Sequence, residues 1–265
     1  VRGGPRPSCV AFDSRGNIVL TETVYFGNLT NKSGSIRHSG DEREGDENLN
    51  AAGDDEVITL DLNRVPRGIM SLFFIGTVAT PTKTFANVKT ARMRLFDPRS
   101  GDEMARIIPA LKGAHTALFL ARVARVPGGR GWELVVIGDH DHTARDFGSL
   151  VPEMKMYLQD LIPGIRVSPG DRVAVMRKGG TVRLADYTSN LMGTPLVVGL
   201  AWDVTAGVEI DLDASIIMMD ARGHAVDTVF YQHLRSNDGS VRHCGDEREG
   251  DEAGDDEKIV VDLPR

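Results

Sequence analysis

Along the chain, apolar positions alternate with polar ones or form short continuous runs, and Gly, Pro, Asp, Asn and Ser cluster between them. That is the pattern of β-strands joined by turns. CVAF (9–12) is an apolar run, DSRGN (13–17) has turn chemistry and VYF (24–26) resumes the strand, so 9–29 is predicted as strand, turn and strand. VITLDL (57–62) alternates as a half-buried strand does, and Pro66 ends it. IMSLFFIGTVA (69–79) is predicted as a strand buried on both faces. ARMRLFD (91–97) places Met93 and Leu95 on one face and Arg92 and Arg94 on the other, with a turn at 97–103. TALFLARVARV (116–126) and WELVVIGD (132–139) read as a hairpin across PGGRG. One stretch has the helical period: SLVPEMKMYLQDL (149–161) sets Leu150, Met154, Tyr157 and Leu158 on one face. Its Pro152 stands in the first turn, where the missing N–H costs nothing. A boundary follows at PGIRVSPGD (163–171), and VAVM, TVRL, LVVGLAW, EIDLDASIIMMD, TVFYQHL, SVRH and KIVVDL continue as strands. Short strands at regular spacing predict an all-β chain, an antiparallel β-sandwich with one or two short helices.

The pattern repeats. SGSIRHSGDEREGDE (33–47) matches DGSVRHCGDEREGDE (238–252), and VYFGNL (24–29) matches VFYQHL (229–234), both at an offset of 205. CVAFDSRGN (9–17) matches IIMMDARGH (216–224) at 207, and GDDEVITLDLNR (53–64) matches GDDEKIVVDLPR (254–265) at 201. A period near 200 residues means duplicated domains rather than a solenoid. Residues 1–162 read as a copy lacking its first strands and 163–265 as the N-terminal half of a second copy. A complete domain could be built from 165–265 plus 66–150 in permuted order, or the chain belongs to a longer tandem protein.

Charge sharpens the picture. GDEREGDENLNAAGDDE (40–56) and GDEREGDEAGDDE (245–257) each hold eight carboxylates and one arginine. The chain is −7 overall, yet outside these loops it carries 29 basic and 22 acidic residues. Like charges this close repel, so such a loop stays solvated or recruits cations. Gly245, Gly250 and Gly254 let the backbone turn its carboxylates inward. Oxygen ligands at this density, without Cys or His inside the loop, suit Ca²⁺ better than Zn²⁺ or copper. The alternative is a solvated acidic hairpin. An EF-hand needs flanking helices, and strand patterns flank both loops.

Aromatic residues make up 6% of the chain, too few for a base-stacking surface, and the acidic balance also argues against nucleic acid. No apolar run reaches 18–20 residues, so no membrane span is predicted. VRGGPRPS lacks the apolar segment of a signal peptide, and Cys9 and Cys244 read as free thiols, so a cytoplasmic location is expected. The chain shows no nucleophile elbow, no phosphate-cradling loop before a helix and no HExxH, so no enzyme is expected. A metal-dependent hydrolase is the remaining catalytic reading. Arg177-Lys178-Gly179-Gly180 reads as a hairpin turn, and His38 and His243 as surface histidines beside the acidic loops. In GDHDH (138–142), His140 and His142 alternate with Asp139 and Asp141; a polar loop is expected there, with metal binding as the alternative.

GGTVRL (179–184), GLAWD (199–203), DLDASIIMMDARGH (211–224) and VFYQHLRSNDGSVRHCGDEREGDEAGDDEKIVVDL (229–263) together resemble the TerD family of tellurium-resistance and stress-response proteins, as do FANV (85–88) and GWEL (131–134). The resemblance implies a β-sandwich binding Ca²⁺ in acidic loops at one end, with no established catalytic activity. It places metal ligands in the second copy at Asp211, Asp213, Asp246, Asp251, Asp255, Asp256 and Glu257. Asp211 and Asp213 are two apart on an expected strand and would share a face. Positions aligned with them in the first copy are Gly4 and Arg6, so that copy should bind more weakly, or one ion, through Asp41, Asp46, Asp54, Asp55 and Glu56. Glu42 and Glu247 depart from the Asn usual after GD and add charge. The implied function is a Ca²⁺-dependent interaction or sensing module. Protein partners, self-association by head-to-tail domain exchange and a purely structural Ca²⁺ staple are the alternatives.

Overall fold

The structure, a computed structural model, describes residues 5–40, 54–88, 91–109, 113–128, 130–174, 181–188, 192–202, 211–246 and 255–263. It divides into two compact units, Val1–Thr181 and Val182–Arg265.

The first unit contains β1 (Arg6–Asp13), β2 (Ile36–His38), β3 (Ile58–Leu60), β4 (Ile69–Thr77), β5 (Met93–Phe96), β6 (Glu103–Ile107), β7 (Ala117–Arg125), β8 (Trp132–Asp141) and helix α1 (Val151–Met156). Its central antiparallel sheet has the order β1-β4-β7-β8, and β2-β3 and β5-β6 are separate hairpins. Strand alternation splits the apolar side chains of the central sheet between two cores. Val10, Phe12, Phe73, Ile75, Ala117 and Phe119 face one, where Phe147, Leu150, Val151, Met154 and Leu158 close over them. Cys9, Ala11, Leu72, Phe74, Ala121 and Val123 face the other, beneath Ile36, Ile58, Leu60, Met93 and Ile107 of the hairpins. β7 changes parity between Phe119 and Ala121, where its register against β8 shifts. A bulge of this kind lets one strand serve both cores. Each large side chain buried this way stabilises the fold by about 1.5–3 kcal/mol. As predicted, 69–79 is buried on both faces and 116–126 pairs with 132–139.

Two local expectations fail for identifiable reasons. VYF does not continue as a strand. Val24 makes one bridge to Cys9, and then Tyr25 and Asn28 exchange backbone hydrogen bonds that turn the chain away. The helix over 149–161 is shorter than its apolar period, ending at Met156. The Arg122 guanidinium donates to the Tyr157 carbonyl and to both Asp160 oxygens, at 2.7 and 2.6 Å, claiming a carbonyl that a continuing helix would use. Beyond it, Ile162, Ile165 and Val173 pack on the first core, and Lys155 Nζ reaches Asp171 Oδ1 at 2.9 Å.

The second unit contains β9 (Leu196–Leu200), β10 (Ile216–Met219), β11 (Ala225–Val229), β12 (Val241–His243) and β13 (Glu257–Val261). β12-β13-β9 form one antiparallel sheet, and β10-β11 a hairpin. Val229, Val241 and Ile259 form its core with Ala214, Ile216, Met218 and Val261. TVRL is not a strand: a 3₁₀ turn occupies Leu184–Asp186. Residues 211–215 lead into β10 without joining a ladder, so Asp211 and Asp213 stand on unpaired backbone rather than on a strand.

The sequence repeat is a structural repeat. β2-β3 and β12-β13 pair in the same register, Ile36 with Leu60 and Val241 with Val261. Ser39 N–H donates to Val57 O as Cys244 N–H does to Lys258 O, and Asp61 N–H to Ser35 O as Asp262 N–H does to Ser240 O.

Candidate metal centre

In the second unit, β12 delivers His243 to the inner face, because the strand alternates buried, exposed, buried. Gly245, two residues on, takes φ +142° and donates its N–H to His243 Nδ1 at 3.2 Å. With Nδ1 accepting, the ring hydrogen sits on Nε2, which lies 3.2 Å from the Ala214 carbonyl and 3.5 Å from Glu257 Oε2. The first unit builds the same device: Gly40 N–H donates to His38 Nδ1 at 3.0 Å, and His38 Nε2 faces the Pro7 carbonyl at 3.3 Å and Glu56 Oε2 at 3.9 Å. The expectation of surface histidines is therefore corrected: both are buried, because each His-x-Gly turn and its facing carbonyl satisfy the ring from within. The signal was present in the sequence as an identical His-x-Gly before each acidic loop.

Glu257 opens β13 and is 1% exposed. Its Oε2 accepts the Ala214 N–H at 2.6 Å, while its Oε1 is buried and has no hydrogen-bond partner among the described residues. An unpartnered buried carboxylate oxygen costs free energy unless something positive meets it. Asp213 and Asp246, both exposed, each bring an oxygen near the Glu257 carboxylate, and the three ligand atoms, one from each residue, lie within 4.8 Å of one another. This oxygen-only set fits a hard cation.

The other expected ligands have different surroundings. The Asp255 carboxylate lies over Gly199 of β9, where an added Cβ would come within 2.4 Å of it. Asp256 Oδ2 accepts the Trp202 N–H at 2.9 Å. These contacts tie the loop to β9 and to the residue two beyond its end, and the roles of Gly199 and Trp202 were not read from the sequence. Asp211 is exposed and outside the three-carboxylate group. In the first unit, Asp54, the counterpart of Asp255, is gripped by Arg94 of β5, with Nε at 2.9 Å from Oδ1 and Nη2 at 2.7 Å from Oδ2. Asp55 is exposed, and Glu56 stands beside His38. Arg6 opens β1 at the position of Asp213, with its guanidinium 4.7 Å from the Phe26 ring centre. Asp41, Asp46, Asp251 and Arg177–Gly180 lie outside the described residues.

Among the described residues no helix is long and apolar enough to cross a membrane. Cys9 and Cys244 are free thiols.

The chain was also compared with known proteins. The TerD domain matches it twice, over residues 7–149 and 173–265. The tellurium resistance protein TerD of Alcaligenes sp is 41% identical over 93 residues, covering 33% of this chain and 47% of that protein. The stress response protein SCP2 of Bacillus subtilis is 29% identical over 156 residues, covering 54% of this chain and 73% of that one. The chain thus spans about half the length of the first relatives it matches. A solved Streptomyces coelicolor homologue of the telluride resistance protein TerD superposes at a TM-score of 0.47 with 19% identity, covering 58% of this chain and 88% of that one. With two domain matches that together span most of its length, the chain belongs to the TerD family.

Proposed function

We propose that the second unit binds Ca²⁺ through Asp213, Asp246 and Glu257, and that the ion sets the shape of the acidic loop in a stress-response protein of the tellurium-resistance type. The observation that carries this reading is the convergence of three carboxylates, with one oxygen of each within 4.8 Å of the others, at the buried Glu257, which also holds an unpartnered oxygen. Bound there, the ion would neutralise mutual repulsion and couple loop order to metal concentration. Its role is recognition or sensing rather than catalysis: the described ligands are acidic oxygens, and the facing histidine is spent on backbone contacts.

Calorimetric titration of Ca²⁺ into chelator-treated protein tests it. Binding that is lost in an Asp213→Asn/Asp246→Asn variant supports the site, and absence of binding below millimolar Ca²⁺ rejects it. A sensor changes partner capture over the same Ca²⁺ range, whereas a structural staple changes thermal stability alone.

Exposed apolar residues favour a second reading, assembly with another copy of the chain. Val197 and Val198 on β9 and Ile217, Met219 and Val226 on the β10-β11 hairpin are exposed. Light scattering over a concentration series tests it, and a constant mass at every concentration rejects it.

A further inference from the structure

Three of the seven histidines meet at one end of the central sheet of the first unit. His140 lies at the end of β8 and His142 just beyond it, two residues apart and so on one side of the chain. His115 precedes β7. The register pairs Ala117 with Asp141, and the Thr116 N–H donates to Asp141 O at 2.8 Å, which lays the chain before β7 beside the chain after β8. Ring centres are 5.0 Å apart for His115 and His140, 5.0 Å for His140 and His142, and 6.3 Å for His115 and His142.

The surroundings are ordered. The His115 ring stacks on Phe85 at 5.1 Å, and its carbonyl accepts the Phe85 N–H at 2.9 Å. The Asp141 carboxylate accepts the N–H groups of Thr143 and Ala144 at 2.7 and 2.6 Å, fixing the turn that carries His142. His115 is 2% exposed, and its buried Nε2 has no hydrogen-bond partner among the described residues. Burial and the two neighbouring histidines hold its pKa below the ordinary imidazole value. Asp139 Oδ1 stands 3.9 Å from His140 Nδ1, while its Oδ2 takes the Tyr157 hydroxyl at 2.6 Å.

We propose that His115, His140 and His142 form a three-histidine site for a divalent transition-metal ion of the Zn²⁺ class. With metal–nitrogen bonds of about 2.0–2.1 Å and tetrahedral angles, three imidazole centres stand about 5.2 Å apart, close to two of the three observed separations; the ligand nitrogens themselves do not all lie within 4.8 Å of one another, so the exposed His140 and His142 must rotate to meet His115 on one ion. Imidazole nitrogens favour Zn²⁺, Co²⁺, Ni²⁺ and Cu²⁺ over Ca²⁺, so this site and the carboxylate cluster of the second unit select different ions. Three protein ligands leave a fourth position open to water or an anion.

The test uses the full chain without a histidine tag, chelator-treated, with Ca²⁺ in excess to fill acidic sites. Zn²⁺ is titrated calorimetrically, and Co²⁺ by its visible ligand-field absorption. The site predicts one Zn²⁺ bound at His115, His140 and His142 and a four-coordinate Co²⁺ spectrum. His140→Ala and His142→Ala, both at exposed positions, each weaken Zn²⁺ by at least about 100-fold, as loss of a ligand exceeds the 10–100-fold cost of losing an outer partner. The exposed His224→Ala leaves it unchanged. Wild-type Zn²⁺ affinity in the His140→Ala/His142→Ala double variant, or no binding below millimolar Zn²⁺ in the parent, overturns the proposal. His115→Gln tests the buried ligand, and unaltered affinity in a folded variant overturns its role. Should that variant fail to fold, Co²⁺ titration of the parent followed by imidazole proton resonances decides instead: a paramagnetically shifted His115 supports the site, and an unshifted one rejects it.

Discussion

Asp213→Asn separates the two electrostatic consequences of the carboxylate cluster, because they have opposite signs. Asp213 shares a 4.8 Å neighbourhood with Asp246 and Glu257. Asp213 and Asp246 are exposed, so screening is close to that of water. Each like-charge pair at that separation then costs about 0.9 kcal/mol, more for the pair with the buried Glu257, so removing the Asp213 charge relieves at least about 1.7 kcal/mol in metal-free protein. A divalent ion about 2.4 Å from a carboxylate oxygen gains about 3.5 kcal/mol at the same dielectric. The mutual repulsion is present with and without the ion and cancels from the binding equilibrium, so the loss on binding is about 3.5 kcal/mol, a roughly 350-fold weaker Ca²⁺ affinity. Trp202 sits beside the site, its N–H on Asp256, and Trp132 is in the other unit, so a Trp132→Phe background makes fluorescence report the second unit. Denaturant unfolding in chelator should show the Asn variant equal to or more stable than its parent, while calorimetry shows the weaker binding. An unchanged affinity, or a variant less stable than its parent in chelator, refutes the reasoning.

Three further outcomes follow from the geometry. Gly199→Ala sets a Cβ 2.4 Å from the Asp255 carboxylate and should destabilise the second unit by about 1–3 kcal/mol, read as a lower melting temperature. Asp160 is held below the usual carboxylate range by its hydrogen bonds to Arg122. A folded pKa below the unfolded value of about 3.9 adds stability above that pH and loses it as pH falls through the lower folded value. Its side chain is 62% exposed, so Asp160→Asn should remove at most about 1 kcal/mol and flatten the acid limb of a stability–pH curve. Cys9 is buried with its thiol pKa pushed up by desolvation, while Cys244 is exposed, so a thiol reagent should modify one cysteine in native protein and both after unfolding.

Much of the fold was legible because strand periodicity is written locally. The runs at 69–79 and 116–126 declare their own burial, 116–126 and 132–139 their pairing, and the matched segments of the repeat carry matching strand pairs, β2-β3 and β12-β13. What failed depended on partners distant in sequence. Arg122 ends the helix from 35 residues away, and nothing in the apolar period of 149–161 encodes that contact. The histidines beside the acidic loops were misread as exposed because a polar residue next to a charge run looks solvated. Their burial depends on the carbonyls of Pro7 and Ala214, about 30 residues upstream. Asp213, Asp246 and Glu257 were all among the expected ligands, and the structure brings these three together while setting Asp255 against Gly199 and Asp256 on the Trp202 N–H.

The two acidic loops begin from one sequence but solve the same electrostatic problem differently. Each copy keeps the His-x-Gly turn and the glutamate that faces the histidine. Around that shared frame, the first copy supplies fixed positive charge: Arg94 grips Asp54, and Arg6 stands where the second copy has Asp213. The second copy anchors its loop with the Trp202 N–H just beyond β9 and with Gly199 of β9, neither of which carries charge, and leaves three carboxylates facing one another. A guanidinium cannot be withdrawn by a chelator, whereas a bound ion can. If the second unit takes Ca²⁺ as proposed, a chelator should lower the unfolding transition of the second unit, reported by Trp202. It should spare that of the first, reported by Trp132. Equal shifts in both would mean that the arginines of the first copy do not replace an ion, and the difference between the two loops would lose its functional meaning.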